Sequence, residues 1–116
     1  AITWIDDGLP DLPVLAAATG QFDLILLTAV WMHLDAGERS RAMARVAAHL
    51  ASGGRLFMTL RHGPVPEGRR MFDVSGEETV SLALDNGLTC LLDEARPDMF
   101  GRDRVSWTVL VLARAS

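Results

Sequence analysis

Five apolar stretches along the chain have the length and composition of β-strands. They lie at residues 2–5, 24–28, 55–60, 88–93 and 105–112. The second is continuously apolar, which is typical of a strand that is buried on both faces in a parallel sheet. The last two have no helical signal between them, so we expect them to pair antiparallel.

A capping pattern marks the start of the best defined helix. Asp35 can accept hydrogen bonds from first-turn amides, and Glu38 lies three residues further on, as in a capping box. Residues 52–54 (SGG) are expected to end this helix. Its charged residues, among them Arg39, are interpreted as a solvent-exposed face. The predicted apolar stripe consists of Met43, Val46, Ala47 and Leu50.

Two further helices complete an alternating pattern. The Ala-rich residues 12–19 end at Gly20, which is typical of a helix C-terminus. A second capping-box pattern at residues 75–78 predicts a helix that closes at Gly87. The preceding residues 61–74 contain several Gly and Pro breaks and are predicted to form a loop. The apolar stripe predicted for the last helix consists of Val80, Ala83 and Leu84.

The order of these elements predicts an α/β fold. Alternating strands and helices imply a mostly parallel sheet with right-handed crossovers, here with an antiparallel pair at one end. A chain of 116 residues has room for one modest domain, so residues 1–116 are interpreted as a single domain.

Composition narrows the classes of function. The net charge of -4 argues against binding to a nucleic-acid backbone. The longest uncharged apolar run, residues 24–34, is too short to cross a membrane, and no leader is recognised, so we expect a cytoplasmic protein. Cys90 lies within a strand pattern and is interpreted as an inert core thiol. No Cys/His cluster has zinc spacing, so no metal site is predicted.

Three segments occur in an order that points to a known family. They are FDLILL at 22–27, WMHL at 31–34 and LASGGRL at 50–56, with an amphipathic helix before the last. This set resembles class I S-adenosylmethionine-dependent methyltransferases, in which an fDlI strand, an LHHL-like segment, a helix and LkPGGxL follow one another. IDDGLP at 5–10 is similar to the family's GDAxxLP stretch. The resemblance implies a Rossmann-like sheet and S-adenosylmethionine as cofactor.

Two family features have no counterpart in this sequence. They are the Gly-rich cofactor loop after the family's first strand and the ribose-binding acid after its second. The chain therefore resembles the C-terminal part of the fold, without its first two strands. By resemblance, the full-length protein transfers methyl to a small-molecule acceptor. We expect weak or no activity from this chain, because the missing groups would supply several hydrogen bonds to the cofactor.

Candidate cofactor residues follow from the position of sites in α/β sheets, which lie beyond the carboxyl ends of parallel strands. By resemblance, Asp6 or Asp7 would accept a hydrogen bond from the adenine amino group; the alternative is a solvated turn. Thr28, Ala29 and Val30 end a strand where the family's backbone faces the cofactor. Core packing is an alternative role for these three residues.

Candidate catalytic residues are the two histidines at these strand ends. His33 or His62 could act as a base on a substrate hydroxyl or amine. Arg61 and His62 could also contact the substrate, Arg61 by pairing with a carboxylate. Structural roles remain alternatives for both histidines, and a surface salt bridge is the alternative for Arg61. Asp98 and Arg102 belong to the last loop, which could cover a pocket; we interpret them as solvated charges.

Two other hypotheses about the function of this chain stay open. The chain could be a non-catalytic Rossmann-like module that forms a homodimer, with a second copy covering the exposed sheet edges. A fragment of a nicotinamide-dependent dehydrogenase is a weaker alternative. The G-x-G-x-x-G turn that would support it does not occur in the sequence.

Overall fold

The computed structural model describes residues 21–28, 31–64, 68, 70–102 and 104–115. The strand predicted at 2–5 and the helix predicted at 12–19 lie outside these residues. The described elements are β1 (Phe22–Leu27), a 3-10 helix (Trp31–His33), α1 (Ala36–His49), β2 (Leu50–His62), α2 (Gly76–Asp85), β3 (Leu88–Pro97) and β4 (Ser106–Arg114). Within the described part of the chain, no helix has the length and apolarity needed to cross a bilayer.

The described strands form one mixed sheet in the order β1-β2-β4-β3. β1 and β2 are parallel, and β4 is antiparallel to both of its neighbours. The predicted α/β fold with a closing antiparallel pair is therefore confirmed. Because β1, β2 and β3 run in the same direction, their carboxyl ends meet at one edge of the sheet, which we call the carboxyl edge.

Helix α1 begins as predicted but ends earlier. Both hydrogen bonds of the Asp35–Glu38 capping box are formed. Leu50 is already the first residue of β2, so the prediction that it belongs to the helical stripe was wrong. The SGG segment lies inside β2, where Gly53 has a φ of 74° and a side chain at Gly54 would clash with the carbonyl oxygen of Phe22. These glycines allow an irregularity that lets β2 rejoin β1 in register.

The hydrophobic core lies on one face of the sheet, which we call the core face. The strand residues that form it are fully buried, and α1 and α2 pack against it. Leu84 is 55% exposed, so its assignment to the α2 stripe was wrong, whereas Ala83 is buried as predicted. The core-face residues of β2 and β4 are Leu56, Met58, Leu60, Leu110 and Leu112.

The opposite face of the sheet, the open face, is much less covered. Leu24 and Leu26 of β1 are 58% and 48% exposed, so the prediction of a strand buried on both faces was wrong. On this face Leu26 lies opposite Phe57 of β2, since these residues are register partners. Cys90 is exposed on the edge strand β3 and is not a core thiol. The described helices lie only on the core face of the sheet.

Candidate active site at the carboxyl edge

Three chain segments lie at the carboxyl edge because each follows one of the co-directional strands. Thr28 follows β1, the described residues 63–64, 68 and 70–75 follow β2, and residues 98–102 and 104–105 follow β3. Gly63 brings the last two together: its φ is 128°, and a side chain there would overlap the carbonyl oxygen of Arg104. Only glycine meets both requirements. The segments that follow β2 and β3 are therefore in contact at this edge.

His33 is tied to the segment that follows β2. Its Nδ1 lies 2.8 Å from the carbonyl oxygen of Arg70, which is 37 positions further along the chain. Beside this contact, the backbone N–H of Phe72 donates to the carbonyl oxygen of Met32 at 2.8 Å. The 3-10 helix and the segment at residues 70–72 are thus held together by two hydrogen bonds.

The Arg70 side chain anchors the same segment to α1. Its Nη2 lies 3.1 Å from Oδ2 of Asp35 and also binds the Glu38 carboxylate, so it reaches both members of the capping box. The backbone N–H of Glu38, helped by the charge of Arg70, holds the pKa of Asp35 below its usual range. The guanidinium also lies over the ring of Phe72, 5.2 Å from its centroid.

Arg39 is buried, with 7% of its surface exposed, so its assignment to a solvated helix face was wrong. Its Nη1 donates to the carbonyl oxygen of Leu34, and its Nη2 lies 3.2 Å from Oε1 of Glu78. Ser75 caps α2 as predicted by accepting the N–H of Glu78, but the Glu78 carboxylate extends to Arg39. Arg39 therefore joins the starts of both helices.

The two adjacent candidates at the end of β2 point to opposite faces of the sheet, as neighbouring residues in a strand do. The Nε2 of His62 lies 2.7 Å from Oγ1 of Thr108. Arg61 donates from Nη1 to the carbonyl oxygen of Pro64 at 3.0 Å, and its register partner is Trp107. The structure therefore does not bring His62 and Arg61 together into one contact site.

Asp98 is buried, so the prediction of a solvated loop charge was wrong for it. Its carboxylate accepts hydrogen bonds from Nε, Nη2 and the backbone N–H of Arg102 and from the indole N–H of Trp107. Donation by Arg102, and then by Trp107, holds the pKa of Asp98 well below its usual range. The i, i+4 spacing of aspartate and arginine was a signal in the sequence for this pair.

The loop that Asp98 anchors carries two exposed apolar side chains. Met99 and Phe100 are 87% and 79% exposed, and the Arg102 guanidinium lies 5.6 Å from the Phe100 ring centroid. No pattern in the sequence indicates these two residues, because nothing in their spacing shows that the loop is held at the carboxyl edge.

The predicted cofactor residues are only partly described. Thr28 is exposed at the end of β1, directly at the carboxyl edge. Asp6, Asp7, Ala29 and Val30 lie outside the described residues. Nearby, the indole Nε1 of Trp31 is buried and has no acceptor among the described residues. Among the described residues, no group of three or more His, Cys, Asp or Glu side chains could hold a metal ion.

Solved structures with the same fold identify the architecture. The Burkholderia thailandensis 1,6-didemethyltoxoflavin-N1-methyltransferase, with S-adenosylhomocysteine bound, matches with a TM-score of 0.70 and 16% identity over 88% of this chain and 48% of its own. The magnesium protoporphyrin IX methyltransferase of Synechocystis, with S-adenosylmethionine bound, matches with a TM-score of 0.64 and 18% identity over 87% and 43% of the two chains. This chain thus spans about half the length of these proteins.

The same fold also serves another reaction. The cyclase SpnF matches with a TM-score of 0.64 and 13% identity over 87% of this chain and 53% of its own. No protein-family model and no curated protein matches the sequence. A fold alone does not determine a reaction. What the strand order and the structural matches together show is that this chain has the fold of class I S-adenosylmethionine-dependent methyltransferases, as its sequence motifs predict.

Proposed function

We propose that this chain is the C-terminal part of a methyltransferase domain. In the full-length protein, that domain transfers a methyl group from S-adenosylmethionine to a small-molecule acceptor. The observation that carries the proposal is the fold match to methyltransferases whose structures contain the cofactor or its product. The net charge of -4 supports a small acceptor over a nucleic acid.

The cofactor would be held at the carboxyl edge by Thr28 and, outside the described residues, by Asp6, Asp7, Ala29 and Val30. S-adenosylmethionine supplies a methyl group that is already activated on a sulfonium. Thr28 fits this role because it lies beyond the carboxyl end of a parallel strand, where ligands bind in open α/β sheets.

This chain's own contribution would be to orient the acceptor and to remove its proton. His33 would accept the proton of the acceptor's hydroxyl or amine. Arg61 or His62, which lie on opposite faces of the sheet at the end of β2, would contact the acceptor. Because methyl transfer from a sulfonium needs mainly alignment, these roles are binding and proton acceptance rather than covalent catalysis.

The test is a titration of the chain with S-adenosylhomocysteine that is monitored by calorimetry and by amide NMR spectra. We expect weak binding, with shifts at Thr28, His33 and Gly63 on the carboxyl edge. Gly87 and Arg114 lie at the other end of the strands and serve as internal controls. Shifts confined to Gly87 and Arg114 would contradict a cofactor site at the carboxyl edge, and no shifts with millimolar ligand would contradict cofactor binding by this chain.

A second candidate function is a dimerisation module, because apolar side chains are exposed on an edge strand. Among the described strands, β1 pairs only with β2, and its Leu24 and Leu26 are about half exposed. A strand with a free apolar edge is a template for pairing with another chain. In this alternative, a second copy would cover β1 and the open face.

The dimer is tested by measuring the mass of the chain in solution over a range of concentrations. Leu26→Glu should shift a dimer to monomer, because it places a charge on the surface to be covered. Leu84→Glu, on the exposed side of α2, is the matched control and should leave the mass unchanged. A wild-type chain that stays monomeric at high concentration contradicts this alternative.

A further inference from the structure

The hydrogen bond between His33 and Arg70 determines where the imidazole proton lies. The Nδ1 of His33 is 2.8 Å from the backbone carbonyl oxygen of Arg70. A carbonyl oxygen only accepts hydrogen bonds, so Nδ1 must carry a proton. In the neutral ring, the other nitrogen, Nε2, then holds the free lone pair. Nε2 is therefore the ring nitrogen that can accept a proton.

We propose that Arg70 is a positioning residue that holds neutral His33 in its Nδ1–H form and so makes Nε2 the basic nitrogen. The inference rests on the proposed function and deepens it, because it assigns the atom of His33 that would take the acceptor's proton. It also assigns a role to a residue that no motif in the sequence indicates.

The position of the Arg70 carbonyl is set by four other contacts of the same segment. The Arg70 guanidinium binds Asp35 and Glu38, both at the start of α1. It also lies over the ring of Phe72. The backbone N–H of Phe72 donates to the carbonyl oxygen of Met32, the residue before His33. The contacts of the guanidinium hold the Arg70 segment that provides the acceptor, and the bond from Phe72 to Met32 holds this segment beside His33, the donor.

These contacts make the Arg70 side chain necessary although the acceptor is a backbone atom. Asp35 and Glu38 are themselves joined as a capping box, so they present a fixed pair of carboxylates to the guanidinium. Without the guanidinium, residues 70–72 lose their charged link to α1. The carbonyl can then move away from His33, and the ring is free to carry its proton on either nitrogen.

The test is a nitrogen NMR measurement on the whole chain labelled in its histidine rings, at a pH at which His33 is neutral. His33→Gln assigns the signals among the three histidines. We expect Nδ1 of His33 to have the shift of a protonated ring nitrogen and Nε2 that of an unprotonated one. The opposite pattern in the wild-type chain would overturn the proposal without any variant being made.

Variants test the role of the side chain. In Arg70→Ala, the ratio of the Nδ1–H to the Nε2–H form should fall about fivefold, the factor that one ordinary hydrogen bond supports. Arg70→Lys keeps the charge near Asp35 and Glu38 and should recover part of this ratio. Arg96→Ala removes an exposed arginine that is paired with Glu94, and should leave the ratio unchanged. An unchanged ratio in folded Arg70→Ala contradicts the positioning role.

The measurement separates this inference from the proposed function. The proton position in His33 is read in the chain alone, without cofactor or acceptor. A protonated Nδ1 in a chain that fails to bind S-adenosylhomocysteine would leave the inference intact and count against the cofactor site proposed for this chain. Cofactor binding by a chain whose His33 carries its proton on Nε2 would support the cofactor site and overturn the inference.

Discussion

The two faces of the sheet differ sharply although they are built from the same strands. On the core face, Leu56, Met58 and Leu60 of β2 are fully buried beneath the two helices. On the open face, Leu24 and Leu26 of β1 remain about half exposed. The apolar content of a strand therefore does not decide its burial. What decides it is whether a helix or another partner reaches that face.

Because of this difference, we expect the core face to stabilise the fold and the open face to favour association with another surface. Burial of apolar surface stabilises the fold in proportion to the area removed from water, so the core face carries most of that free energy. Exposed apolar side chains on a sheet edge contribute little to the fold but favour contact with another surface. We expect substitutions on the two faces to have different consequences.

The largest expected effect is on the core face. Leu60→Ala should lower the free energy of unfolding by about 2–5 kcal/mol, because it leaves a cavity beneath the helices. The same change on the open face, Leu26→Ala, should cost about 0.5 kcal/mol or less. Urea unfolding of both variants measures the difference. Equal losses would show that the open face is covered in solution.

A smaller loss of stability is expected when the buried Arg39 charge, which links the two helices of the core face, is removed. Arg39→Ala should lower the free energy of unfolding by about 2 kcal/mol, since the Leu34 carbonyl and the Glu78 carboxylate lose their donor. Arg96→Ala, which breaks an exposed ion pair, is the control and should cost about 0.5 kcal/mol or less. If both variants lose the same amount in urea unfolding, Arg39 does not act as a link.

The open face has its own anchor, which depends on pH. Asp98 accepts the indole N–H of Trp107, a residue of the open face, and its folded pKa lies below the unfolded value of 3.8. Its contribution to stability is therefore complete above about pH 5 and is lost as the pH falls through the folded pKa.

Urea unfolding of wild type and Asp98→Asn across this range measures the contribution. The wild type should be more stable at neutral pH, and the gap should narrow as the solution is acidified. Asp73→Asn removes an exposed negative charge from the loop before α2 and is the matched control. A gap that stays constant on acidification would mean that the Asp98 charge does not stabilise the loop.

Local signals in the sequence predicted local structure well. The start of α1 follows from Asp35 and Glu38, and the start of α2 from Ser75, because a capping side chain bonds to an N–H only a few residues away. From residue 21 onward, the order of the described strands and helices and the closing antiparallel pair also followed from the pattern. The end of α1 did not, because Leu50 joins the sheet through its pairing with Phe22.

For the candidate site, the sequence indicated residues but not their partners. Thr28, His33 and His62 were placed near strand ends by their position after apolar runs, and the parallel strands bring these ends to one edge. Their roles as cofactor and substrate contacts stay predictions. The contact of His33 with Arg70 spans 37 positions, and no periodic pattern reaches so far.

What the sequence determined by itself was the α/β order of elements, the helix starts and the methyltransferase-like motifs, because these depend on neighbouring residues. Only the tertiary structure decided that Arg39 and Asp98 are buried and that Leu24 and Leu26 are not. Burial depends on which distant segments pack against a side chain. The Arg39–Glu78 bond joins residues 39 positions apart, and such a partner is set by the packing of the helices on the sheet.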